Sequence, residues 1–263
     1  MKRYLAVYLT YVRMRIRGTL SFRSDFWVLS ISMIVRQCMA LLFIYVVVGR
    51  IGSLAGWTLY EVTLMYGFLT TARGLASTFL AMPWSLGGAI QGGSLDLALV
   101  RPAPPLFLLV GQSGILLHVL TVDVVGIATI VYSLVHIGVP FHVWWLFYIP
   151  VAVISGAMIL GSVYLIAACL QFWLVSSRSV MYLVLFVHDF AQFPIVTYGL
   201  PIRILLTCIL PYAMATYYPV AFLTRGDGFR VAGSIAPAVG FVALAIAIAF
   251  WNISLGRYKS TGS

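Results

Sequence analysis

"FWVLSISMIVRQCMALLFIYVVV", Phe26 to Val48, carries one charge, Arg36, in 23 residues. Wound as a helix, that length crosses a bilayer core of roughly 30 Å. Apolar stretches of about 20 to 30 residues, five or six counting this one, fill the 263-residue chain. With 62% hydrophobic and 8% charged residues, too little polar surface exists to clothe a water-soluble body. The chain reads as a polytopic membrane protein. In lipid every backbone polar group must be satisfied internally, and continuous runs, unlike the alternating segments of a barrel, select helices. The expected fold is an all-α bundle.

Sixteen Lys and Arg against six Asp and Glu give a net charge of +10. In a soluble chain this raises the question of nucleic acid. Here Lys2, Arg3, Arg13, Arg15, Arg17 and Arg23 precede the first span, where basic flanks hold a terminus in the cytoplasm. The basicity is topological, and no nucleic-acid partner is expected. Leu5, Tyr8, Leu9, Val12, Ile16 and Leu20 share one helical face, with Arg3, Thr10, Arg13 and Arg17 opposite. Residues 1–23 are therefore expected to lie as an amphipathic interfacial helix, their arginines among anionic lipid headgroups. Ser53-Leu54-Ala55 faintly resembles a cleavage site, but Phe26 to Val48 exceeds a signal-peptide core of roughly 7 to 15 residues. An uncleaved first span is expected.

Further spans are expected near 57–82, 106–135, 143–172, 180–199 and 234–255, after the first at 26–48. Residues 200–223 are apolar enough for a seventh but contain Pro201, Pro211 and Pro219. Counting basic residues does not decide. Six spans and seven each place ten cations inside and four outside. Three prolines remove amide donors and force turns, which favours a re-entrant extracellular hairpin over another crossing. Six spans leave both termini cytoplasmic, in one membrane domain over 1–263.

The intramembrane charges are Arg36, Glu61, Arg73, Asp123 and Asp189. Each is costly in lipid, so each needs a partner or a wet cavity. Structural pairing and lining of a transport path both remain open. Arg36 and Asp189 lie at similar expected depth, which predicts an ion pair between the first and fifth spans. Cys38, Cys169 and Cys208 have no disulfide or metal spacing, and His118, His136, His142 and His188 form no H-E-x-x-H. No metal or other cofactor is expected. Ser155-Gly156 reads as a close helix contact rather than a nucleophile. Trp27, Trp57, Trp84, Trp144, Trp145, Trp173 and Tyr258 fall at span ends and read as the interfacial belt. "GGAIQGG", Gly87 to Gly93, lacks the lysine of a phosphate-cradling loop, so any ATP hydrolysis is expected on another chain and this one is not expected to be an enzyme.

"IQGGSLDLALVRP", Ile90 to Pro102, lies in the one substantial cytoplasmic loop, 83–105, and reads as a short helix with a proline-fixed exit. By composition alone it is an ordinary connector. The string resembles the loop after the second helix of ABC type-2 exporter permeases. "LLTCILPYAMATYYPVAFL", Leu205 to Leu223, resembles their extracellular proline-containing hairpin, and "WNISLGRYKSTGS", Trp251 to Ser263, their C-terminal tail. The resemblance implies a six-helix permease of the cell (plasma or inner) membrane, paired as a homo- or heterodimer and docked on a separate ABC ATPase subunit that binds the ATP. It also implies that Gly92, Gly93, Asp96, Leu99, Arg101 and Pro102 belong to the ATPase-coupling loop. The expected cargo is an amphipathic small molecule, lipid-like compound or peptide moved outward by alternating access. The rival is an ion-gradient-driven secondary transporter or channel using the intramembrane charges, which matching broken helices in two inverted halves would favour.

Overall fold

The computed structural model describes residues 10–11, 13–14, 17–18, 23–80, 82–113, 119–139, 142–173 and 178–258. Among them there is no strand, only an isolated bridge between Leu54 and Trp57. The long apolar runs become α1 (Arg23–Ile51), α2 (Leu59–Phe79), α7 (Val143–Cys169) and α12 (Arg230–Leu255). Phe26–Ile51, Val143–Phe172 and Arg230–Leu255 are long and apolar enough to cross a membrane. Most of the interfacial stretch 1–23 lies outside the described residues, and Thr10, Tyr11, Arg13, Met14, Arg17 and Gly18 are helical.

The shorter elements depart from the expected spans. Within the stretch expected at 106–135, the described residues form α5 (Pro105–Ser113) and, on the far side of residues 114–118, a π-turn at Val119–Asp123 that runs into α6 (Val124–Ile137). The one expected at 180–199 is helical only in α8 (Arg178–Asp189). Beyond it, 3-10 turns lead through Pro194, which lacks an amide donor. Residues 200–223 form short pieces: α9 (Leu200–Ile204), a π-turn ending before Pro211, α10 (Tyr212–Ala215), and α11 (Tyr217–Arg225) with Pro219 in its first turn. Between α2 and α5 lie α3 (Met82–Gln91) and α4 (Ser94–Leu99).

The core forms around α7, which packs most extensively on α12 and α2. Successive contacts give direction. Tyr148 donates to the Gly233 carbonyl at 2.7 Å, Ser155 meets Ala236 and Gly240 at 3.1 Å, and Phe172 meets the Trp251 ring at 5.8 Å. Ala72 of α2 lies beside Gly156 of α7, and Leu80 beside Gly161. Thus α2, α7 and α12 all run the same way. Against them α6 runs oppositely: Ile130 touches Gly67, while Tyr60 stacks on His136 at 5.0 Å. Gly240 has no room for a methyl group beside Ser155, and that small residue lets the two backbones close. Ser155-Gly156 is thus a packing contact, as its small residues indicated.

Candidate functional site

At the end of the bundle where α7 and α12 terminate, α3 and α4 fold back as a bent helical pair. Gly93 makes the bend with φ +70°, a conformation that favours glycine, after the Gly92 amide has closed on the Gly88 carbonyl at 2.9 Å. The pair is seated through three contacts. Leu95 and Ala98 are buried, Gly87 abuts the Gln171 side chain at the foot of α7, and the Tyr258 phenol lies beside Asp96. Burial and the Asp96 carboxylate both push that phenol above its ordinary value. Tyr258 packs in turn on Phe172, at 5.8 Å between rings, so the feet of α7 and α12 and the loop form one block. Arg101 reaches the Tyr11 hydroxyl at 3.4 Å. Leu97 and Val100 point outward, 55% and 79% exposed, with Leu99 also exposed and Pro102 at the surface. This surface is apolar, fixed from behind, and left uncovered by the other described residues.

A second group of polar side chains lies where α1, α2, α7, α8 and α10 meet. Arg73 pairs with Asp189 at 3.3 Å, and the His188 ring nitrogen lies 3.2 Å from the same carboxylate oxygen. The expected Arg36–Asp189 contact is not made. Arg36 adds its charge to the cluster, but Arg73, one helix over, holds the near position on the acid. Tyr66 donates to Gln37 at 2.7 Å, while His188 is fully buried between the Tyr164 and Tyr212 rings. The Asp189 side chain is 59% exposed. A polar seam therefore reaches the bundle's outer surface at mid-height.

The other two intramembrane acids have different surroundings. Glu61 closes a capping box with Thr58, accepting from its amide at 2.8 Å, and pairs with Arg225 at 3.2 Å. Arg225 also covers the Trp57 ring at 3.7 Å and donates to the Gly56 carbonyl at 2.6 Å. Glu61 is a structural ion at the head of α2. Trp57 is buried beneath Arg225 rather than placed in an interfacial belt, whereas Trp27, Trp144 and Trp173 are exposed. The Thr58-x-x-Glu61 spacing was the sequence signal for this cap; nothing local announced Arg225, 164 residues away. Asp123 ends the π-turn before α6, buried against Gly74, and neither of its oxygens has a hydrogen-bond partner among the described residues.

Of the histidines, His118 lies outside the described residues, and His136 and His142 are exposed. Among the described residues no His, Cys, Asp and Glu group is arranged to hold a metal. The three cysteines are free. A family profile described as ABC-2 family transporter protein matches residues 34–262, from α1 to the C-terminal tail. No curated protein and no solved structure matches the chain.

Proposed function

The chain belongs to the ABC-2 transporter family, multi-pass membrane proteins that work with an ATP-binding subunit, and from this we propose that it is the permease of an ATP-driven exporter. It moves an amphipathic small molecule, lipid-like compound or peptide outward by alternating access between two permease copies, identical or related. A separate ATPase subunit binds and hydrolyses the ATP. The permease resides in the cell (plasma or inner) membrane with both termini cytoplasmic.

The observation that carries this reading is the outward apolar face of α4. Leu97, Leu99 and Val100 are exposed on an element too short to span a membrane, while Leu95, Ala98 and Tyr258 brace it from behind. An exposed apolar patch on a rigid support suits a protein partner. Force applied there passes to the feet of α7 and α12. The half-exposed Asp189, with Arg36 and Arg73, supports a second copy against this side, because an ion pair at mid-membrane depth needs protein or water rather than lipid around it.

Helix direction supports six crossings. Since α12 runs parallel to α7, with α8 between them in sequence, the segment 190–229 returns to the side on which α8 emerges. Arg225 meeting Gly56 and Glu61 at the head of α2 fits the same return. Residues 200–223 then form the extracellular re-entrant hairpin.

Docking is tested by co-purifying the chain with the ABC ATPase subunits of its source organism. Replacing Leu97 and Val100 together by aspartate lowers retention of the cognate subunit tenfold or more and leaves the permease monodisperse. Unchanged retention overturns the docking assignment. Transport that persists without any ATPase subunit supports the ion-gradient mechanism instead.

A further inference from the structure

A cavity of about 650 Å³ opens between α2, α6 and α7, away from the polar seam. Its walls are aliphatic: Ile130, Leu134, Ile149 and Val153 line it, and Ile127, Val131, Leu146 and Ile154 at its mouth are exposed on the flank of the bundle. Two lining side chains are polar apart from the Trp145 indole. Thr71 already donates to the Gly67 carbonyl at 2.9 Å. The other is Asp123, 4% exposed, whose two oxygens find no donor among the described residues.

A carboxylate kept from water without a partner is among the costliest groups a membrane protein can hold. Such a group takes up a proton or is satisfied by a countercharge. A drug-sized, mainly apolar cavity with one charged residue in its wall is also the usual form of a small-ligand site. We propose that this cavity binds a hydrophobic amine. The aliphatic body lies between α6 and α7, and the ammonium supplies Asp123 with both countercharge and N–H donors. In the empty cavity the two oxygens are covered, packed against Gly74, so binding includes a turn of the Asp123 side chain toward the ligand. The mouth opens on the apolar flank, and the ligand arrives from the lipid rather than from water. Rested on the exporter reading, hydrophobic amines are a cargo class; the binding itself does not require that reading.

The test uses the full-length chain in lipid nanodiscs, without an ATPase subunit, and equilibrium dialysis of radiolabelled dodecylamine and dodecanol against protein-free nanodiscs. Dodecylamine binds saturably, one per chain, and at least tenfold more tightly than dodecanol. Asp123→Asn lowers amine affinity tenfold or more and leaves dodecanol unchanged. Ile154→Trp, at an exposed mouth position, weakens both. Equal affinity for amine and alcohol identifies a plain acyl-chain crevice and overturns the proposal, as does amine binding that either substitution leaves intact. Because no ATPase is present, a negative result leaves the docking assignment standing, and failed docking leaves this site standing.

Discussion

Asp189 carries a charge at mid-bundle with Arg73 3.3 Å and the His188 nitrogen 3.2 Å from one of its oxygens. Removing one member of such a pair strands the other, so the two losses are not independent. Arg73→Met with Asp189→Leu is expected to show a coupling of about 1–3 kcal/mol in thermal unfolding in detergent. The cycle of Arg36→Met with Asp189→Leu is expected below about 0.5 kcal/mol, since Arg36 makes no ion-pair contact with the acid. Equal couplings in the two cycles would return Arg36 to the partner's position. The need for a countercharge was legible from the sequence, because every intramembrane ion requires one. Which arginine supplies it depends on how α1 and α2 are rotated about their axes, and that rotation is set by packing. Sequence depth therefore matched Arg36 to Asp189 while side-chain direction gave the place to Arg73.

At the scale of elements, the crossing of α7 and α12 turns on one pair of small residues. Ser155 donates to the Ala236 carbonyl and accepts from the Gly240 amide, each at 3.1 Å. A methyl at Gly240 meets Ser155 directly. Gly240→Ala is expected to cost about 1–3 kcal/mol of stability by overpacking, measured as loss of monodisperse protein on heating. Gly228→Ala, in open space, is expected to cost nothing measurable. The existence of these long helices was plain from apolar length alone. Their interruptions were less so: a hydropathy window sums over residues and does not register the π-turn at Val119–Asp123 or the end of α8 at Asp189. Within 200–223 prolines were the better guide, and the three there do coincide with short pieces rather than one helix, whereas Pro150 and Pro237 stand inside α7 and α12.

For the whole molecule, the arrangement predicts which ends share a side. With Cys38, Cys169 and Cys208 replaced by alanine, a single cysteine at Gly228 is expected to react with an impermeant maleimide in intact cells, and one at Gly256 only after permeabilisation. Labelling at Gly256 but not Gly228 from outside would establish a seventh crossing. Charge counting left six and seven spans level, because moving one crossing exchanged Arg225 and Arg230 for Arg257 and Lys259. The sequence by itself determined the solvent, the helical class and the near-absence of polar surface, since these follow from composition and run length under the rule that lipid satisfies no backbone donor. Only the tertiary structure decided that Arg73 rather than Arg36 holds Asp189, that Arg225 reaches back to Glu61, and that Asp123 lies beside an aliphatic cavity with no hydrogen-bond partner among the described residues. Those are relations between residues far apart in the chain, fixed by which helix faces pack together, and local spacing holds no record of them.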